Sequence, residues 1–250
     1  MERSFNGIEE REGVFILRSE ENFNLLTKEL RNYIKNLEEL FGIKIDYQTR
    51  IKEKSNKDWV KKYKNAIKPV EFDNFYIYPS WHKPKKDKIN ILIDPALAFG
   101  SGHHESTRSC VKALKKCIKK GDTLLDVGCG SGILGIVAAK LGARVFLCDT
   151  DSVAIKSTKE NFKLNNVSYS DIWVGSVSDT NKSYDIVVAN IIADVLIFIA
   201  NDLKKVVNDT LILSGIIEKY KDRVLEKYKD FNLLEEIKEN EWITLILKRK

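Results

Sequence analysis

The sequence predicts a doubly wound α/β domain with a small α+β piece ahead of it. Three observations carry that prediction. From about Ser106 onward, apolar strand-like runs alternate with segments of helical periodicity. One run, Thr123-Leu124-Leu125-Asp126-Val127, ends in a glycine-rich turn that opens a helix. Asp149 and Asn190 then sit at the ends of two later runs, on what would be the carboxyl edge of the sheet. Strands separated by helices of roughly 10–15 residues imply βαβ units and a parallel sheet.

The chain opens with an apolar run of strand character, Gly13–Leu17. From Asn22 to Phe41 apolar residues recur at helical spacing, and Gly42 supplies a stop. Ile43, Ile45 and Tyr47 alternate as a half-buried strand over 43–51 would. A Lys-rich connector follows, with a short helical pattern at 58–63 broken by Pro69. Strand-like runs at 75–78 and 89–93 are punctuated by Pro79 and Pro84. Beyond them the expected elements are helix 106–118, strand 123–127, helix 131–141, strand 144–148, helix 152–164 and strand 171–174. Strand 184–189, helix 192–205, strand 210–214, helix 217–229 and closing strands near 233–238 and 242–248 complete the order. The chain thus divides into a small α+β domain at 1–54, a basic linker with connecting strands at 55–88, and the main domain at 89–250.

Composition narrows the class. With 43% hydrophobic and 31% charged residues, the 250-residue chain can bury a core, which excludes a wholly disordered protein. Its apolar stretches of about six to eight residues fall short of the roughly 18 that span a bilayer. MERSFNGIEEREG has no apolar h-region, so no secretory signal is expected. Four cysteines, at 110, 117, 129 and 148, form no CxxC. That excludes a disulfide scaffold and points to the reducing cytoplasm. The net charge of +6 sits in one place: residues 51–88 hold 11 Lys against Glu53, Asp58, Glu71, Asp73 and Asp87. That segment is either a solvated linker face or a patch that steers an acidic or RNA-bearing partner.

Asp126-Val127-Gly128-Cys129-Gly130-Ser131-Gly132 is the most informative stretch. Glycines let the backbone approach a ligand, and a helix N-terminus offers unpaired N–H groups. Gly130, Gly132 and Gly135 formally satisfy the dinucleotide pattern, with Asp149 about 20 residues on. The match is weak, because its first glycine lies two residues past the glycine that ends the strand. A pyrophosphate would also repel Asp126. A sulfonium and an α-ammonium would not, so S-adenosylmethionine suits the same loop better. Asp149, at the end of the second strand, can accept hydrogen bonds from ribose hydroxyls or act as a cap. Asp151 is the better helix N-cap. Asn190 ends the run Tyr184–Ala189; its carbonyl can accept from an incoming amine, or it too can cap a helix.

DVGCGSG, Asp149 and DIVVANI together resemble the class I S-adenosylmethionine-dependent methyltransferases, whose sheet is Rossmann-like. Asp94-Pro95-Ala96-Leu97-Ala98-Phe99-Gly100-Ser101-Gly102-His103-His104-Glu105-Ser106-Thr107 is similar to the DPxLAFGTGxHxTT signature of the ribosomal protein L11 methyltransferases. The likeness continues through Lys57-Asp58-Trp59, Lys68-Pro69-Val70, Pro79-Ser80-Trp81, Leu213-Ser214-Gly215-Ile216 and Glu241-Trp242. It implies cofactor contacts at Thr107, Gly128, Asp149 and Asn190. It also implies methylation of lysine ε-amines and the N-terminal α-amine of a large-subunit ribosomal protein, L11.

Asp126, Gly130, Phe99, Gly100 and His104 complete the expected cofactor shell. The Phe99–Gly102 loop would close over the cofactor, with His104 shaping the pocket. Asn190 is the expected catalytic residue. Ser101 and Ser106 replace threonines of the signature and keep their hydroxyls. The family's substrate-recognition domain opens with a strand and helix; here the chain starts near that domain's second strand, so residues 1–54 are expected to be abbreviated. His103, His104 and Glu105 form no expected metal site, since the chain has three His and no ligand-spaced Cys. A monomer that contacts ribosomal RNA is expected. Two other readings stay open: an amino-methyltransferase acting on RNA or another protein, and an inactive cofactor-binding module that holds RNA.

Overall fold

Leu124, Leu125 and Val127 are apolar on both faces of their strand, the pattern of a strand covered on two sides. In the computed structural model that strand lies inside a seven-stranded sheet, with a strand paired on each side. The structure describes residues 8–11, 14–17, 23–50, 67–94 and 102–250, and the chain divides into two compact units, Met1–Lys62 and Tyr63–Lys250.

In the first unit, β1 (Ile8–Arg11) and β2 (Val14–Leu17) pair antiparallel, with Ile8 opposite Leu17 and Arg11 opposite Val14. The helix α1 (Phe23–Phe41) follows, and Gly42 ends it with φ +61°. The expected strand over 43–51 is not formed across the described residues 43–50. Ile43 and Tyr47 are exposed there, and the Ile45 N–H donates to Glu38 Oε1 at 2.8 Å. Alternation makes a strand only where another strand's edge takes up its backbone groups. The two-stranded β1–β2 sheet supplies no such edge to this segment among the described residues. The helical pattern expected at 58–63 lies outside the described residues.

The second unit opens with a small sheet. β3 (Val70–Phe72) runs antiparallel to β4 (Phe75–Tyr78), which pairs parallel with β5 (Ile89–Leu92). All four β4 side chains are buried. Lys85 and Lys88 both pair with Glu71, so part of the basic segment's charge is matched internally, while its Asp73 pairs with Lys115 from outside the segment.

The main sheet is built as the alternation predicts. In chain order come α2 (Glu105–Cys117), β6 (Thr123–Val127), α3 (Ile133–Lys140), β7 (Arg144–Asp149), α4 (Ser152–Leu164) and β8 (Asp171–Val174). There follow β9 (Tyr184–Asn190), α5 (Ala193–Phe198), α6 (Ala200–Val206), β10 (Val207–Ile217), α7 (Lys221–Lys227), β11 (Phe231–Glu239) and β12 (Trp242–Arg249). Across the sheet the order is β11-β12-β10-β9-β6-β7-β8, parallel from β10 to β8, with β12 antiparallel to β10 and to β11. Chain order reverses between β6 and β9, and that switch point is where open α/β sheets bind ligands.

Two apolar clusters cover the faces, one around Ile136, Leu124 and Phe162, the other around Leu196, Leu213 and Tyr228. The helix expected over 192–205 is two helices that meet at Ile199. Val195 to Ala200 is apolar without interruption, more than one helix face can bury. Ile199 goes inside, while Phe198 is 88% exposed. No helix among the described residues is long and apolar enough to cross a membrane.

Candidate functional site

The glycine turn between β6 and α3 is tied down from several sides. The N–H groups of Gly128 and Cys129 donate to the Cys148 carbonyl at 2.9 and 3.1 Å, which fastens the turn to the neighbouring strand β7. Gly128 has φ +70°, and a Cβ there would stand 2.7 Å from Ile191 Cγ2. Only glycine fits that left-handed, crowded position. Gly135, in the first turn of α3, is needed for another reason: a Cβ would meet Leu147 Cδ2 at 2.6 Å, so its absence lets helix and sheet close.

Two acids brace this turn. Asp126 Oδ2 accepts from the Gly135 N–H at 3.0 Å, and Asp149 Oδ2 accepts from the Gly130 N–H at 2.9 Å. Asp149 Oδ1 accepts from the Asp151 N–H at 2.9 Å. Asp151 caps α4 by accepting from the Val153 N–H, the role its position predicts, so Asp149 is not that helix's cap.

Asp126 is 1% exposed, and its Oδ1 has no hydrogen-bond partner among the described residues. Burial pushes its carboxyl up to about 7; the Gly135 N–H opposes that rise and the Asp149 charge adds to it. Burial, and secondarily the Asp126 charge, push the Cys129 thiol far up and the Cys148 thiol up to about 12. Neither is a thiolate nucleophile near neutral pH.

Across the switch point stand Thr107 and Asn190. Thr107 lies fully buried in the first turn of α2, and Asn190 is the last residue of β9. Asn190 Nδ2 reaches Thr107 Oγ1 at 3.5 Å, across 83 residues of sequence. The residue at the N-cap of α5 is Ile192, so Asn190 is not a helix cap. With its amide nitrogen turned to Thr107, the side-chain carbonyl is the group left to receive a donor. His104 caps α2 by accepting from the Ser106 N–H, and its ring meets Trp242 edge-on at 4.5 Å. Phe99 and Gly100 lie outside the described residues.

The donor set suits one kind of ligand. Two acids and an amide carbonyl ring the turn, and no Lys or Arg occurs from Asp126 to Ala139. Such a site favours cationic and hydroxyl-bearing groups and disfavours a pyrophosphate. Among the described residues no cluster of His, Cys, Asp and Glu is placed to hold a metal ion.

The family model described as Ribosomal protein L11 methyltransferase (PrmA) matches residues 9–250. The chain belongs to the ribosomal protein L11 methyltransferase family. It is accordingly an S-adenosylmethionine-dependent methyltransferase, and S-adenosylmethionine is its cofactor. A ribosomal protein L11 methyltransferase of Nitratiruptor sp. is 54% identical over 99% of this chain and 89% of its own length. One from Campylobacter lari is 52% identical over 97% and 87%. The crystal structure of a ribosomal protein L11 methylase from Lactobacillus delbrueckii is 29% identical, with a TM-score of 0.69, covering 73% of this chain and 98% of that one.

In this L11 methyltransferase family member, Asp126, Gly128, Gly130 and Asp149 converge on one turn, and Thr107 and Asn190 meet across the switch point. Residues that the sequence did not single out support them. Thr158 Oγ1 donates to the Gly130 carbonyl at 2.9 Å, and Asn161 Nδ2 donates to the Ser131 carbonyl at 2.9 Å. With Asn165 they form a buried polar stripe at +3 and +4 spacing along α4. That helical period of polar residues, on a face that ought to be apolar, was the available signal.

Proposed function

We propose that the chain transfers methyl groups from S-adenosylmethionine to lysine ε-amines and to the N-terminal α-amine of ribosomal protein L11. The observation that carries this reading is Asn190, whose amide nitrogen is turned to Thr107 at the edge of a turn flanked by two acids. When bound, the cofactor supplies a methyl group on a positively charged sulfur, a good leaving group. The chain's own work is therefore positioning.

Asp149 keeps lone pairs beyond those given to Gly130 and Asp151, enough to accept two ribose hydroxyls. The turn at Gly128 and Gly130 gives close backbone approach. Asp126, beneath it, favours positive charge. Asn190 accepts from the N–H of the incoming amine and orients its lone pair, while Thr107 holds the amide against rotation. His104 and Trp242 form an aromatic wall at the start of α2.

The amine must be neutral to react. At pH 7 neutralising a lysine of pKa about 10.4 costs roughly 4.6 kcal/mol, against about 1 kcal/mol for an α-amine near 7.7–8.0. Exclusion of water lowers the lysine cost by disfavouring its charged form. Ribosomal RNA contact is a subordinate proposal, carried by the basic segment at 51–88, whose Lys85 and Lys88 are already engaged by Glu71.

Mass spectrometry of ribosomal proteins from cells with and without this gene tests the proposal. The expected result is a set of methyl increments on L11 that vanish with the gene. Unchanged L11, with methylation lost from RNA or another protein, would overturn it.

A further inference from the structure

Three hydroxyl side chains from three different elements meet in the core. Ser109 in α2, Ser214 in β10 and Thr244 in β12 are each 0% exposed. Thr244 Oγ1 lies 2.6 Å from Ser109 Oγ and 2.6 Å from Ser214 Oγ. Ser109 Oγ also donates to the carbonyls of Glu105 and Ser106, both at 3.1 Å. A hydroxyl carries one proton. With the Ser109 proton given to those carbonyls, the short contacts run one way: Ser214 donates to Thr244, and Thr244 donates to Ser109. Ser214 Oγ also lies 3.3 Å from the Ser106 carbonyl, a second acceptor for its one proton.

The two ends of this relay sit beside the two halves of the site. Ser106 immediately precedes Thr107. Ser214 is the register partner of Asn190, and its carbonyl accepts from the Ile191 N–H at 3.1 Å. Alanine and valine would fill the same volume, and replacing every partner of a buried hydrogen bond by an apolar group of the same shape is close to neutral for stability. Apolar side chains would not fix a direction; hydrogen bonds do.

We infer that Ser109, Thr244 and Ser214 are positioning residues, which set the spacing between Thr107 and Asn190 and so aim the Asn190 carbonyl at the reacting amine. This rests on the reading of Asn190 as the group that receives that amine.

Thr244→Val removes the central hydroxyl and keeps the shape. At saturating S-adenosylmethionine, with purified L11 as acceptor, kcat should fall roughly tenfold to a hundredfold, the scale of a small misplacement. The Kd for S-adenosylhomocysteine by calorimetry should stay within about threefold, because Asp149 and the glycine turn are untouched. Thr244→Ser, which keeps the hydroxyl, should restore kcat to within about twofold. Ser109→Ala leaves the Ser214–Thr244 bond in place and is read the same way should Thr244→Val fail to fold.

A kcat within twofold of the native enzyme in the hydroxyl-deleted variant overturns the inference. So does a loss that serine does not rescue, or one that falls wholly on cofactor affinity. Asn190→Ala separates this from the proposed function. If Asn190→Ala turns over normally, the reading of Asn190 fails. If Asn190→Ala is impaired and Thr244→Val adds its full loss on top, the reading of Asn190 stands and the positioning role fails.

Discussion

Asp126→Asn isolates the charge buried beneath the glycine turn. The native carboxyl is 1% exposed and, among the described residues, has one partner, the Gly135 N–H, which leaves Oδ1 without another. Burial lifts it from an ordinary 3.8 to about 7. A carboxyl whose folded pKa lies above its unfolded one binds its proton more tightly when folded. Its contribution therefore favours the fold in acid and is lost as pH rises from about 4 to about 7, after which it is flat. About three pH units at 1.36 kcal/mol each make a swing of about 4 kcal/mol. Asparagine keeps the carbonyl for Gly135 and does not titrate. The stability difference between variant and native protein should thus change by roughly 3–4 kcal/mol between pH 4.5 and pH 8, the variant gaining toward high pH. For a unit of this size that is roughly 10 °C in the melting difference. Paired urea or thermal melts of the cofactor-free proteins measure it, and titrating groups that do not feel the Asp126 charge cancel in the subtraction. A flat difference across that range would refute the desolvation argument.

Asp149→Ala should weaken S-adenosylmethionine binding by calorimetry while the protein stays folded, since each hydrogen bond to a charged acceptor is worth about 1.5–3 kcal/mol and the two are not additive. NADH should show no saturable binding; if it binds, the dinucleotide reading of the glycines returns. Asn190→Ala should lower methyl transfer on the order of 10²-fold with little change in melting temperature, because it caps no helix; intact turnover would make it a bystander. Gly128→Ala should cost about 1–2 kcal/mol from the left-handed backbone alone, with a further cost from the Cβ crowding Ile191, seen as a lower melting temperature and weaker cofactor binding.

What was legible in the sequence was local. The strand ending at Val127, the glycines after it, the acid closing β7 and the cap at Asp151 each follow from spacing within a few residues, and each stands where that spacing puts it. Asn190 was legible as the end of a strand, though its alternatives of cap or acceptor were not separable. Its partner, Thr107, lies 83 residues away, and only the fold brings the two together. The hydroxyl relay was hidden for the same reason: Ser109 and Thr244 are 135 residues apart, and nothing near either one announces the other. Short elements failed differently. Ile8-Glu9-Glu10-Arg11 is too polar to read as a strand and is one through its pairing with Val14–Leu17. Ile43, Ile45 and Tyr47 have the right alternation and, among the described residues, no partner edge. A strand is a relation between two segments, and one segment's pattern supplies half of it.

The two acids of the site perform different tasks because the sheet buries them differently. Asp149 ends β7 at the rim, partly exposed, with each oxygen on a loop N–H and lone pairs still facing outward. It braces the turn and keeps capacity for hydroxyls, so ligand binding adds bonds there without breaking the brace. Asp126 lies one residue inside the end of β6, with a single N–H partner and a carboxyl that titrates near neutrality. A cation arriving above it stabilises the ionised form and pulls its pKa back down. Linkage then requires that a cationic cofactor bind more tightly as pH rises through 7, with the gain arising at Asp126. The same buried charge opposes the empty fold at high pH and favours the loaded one. A carboxylate that looks like a structural liability is thereby a reason for this turn to prefer a sulfonium over a phosphate.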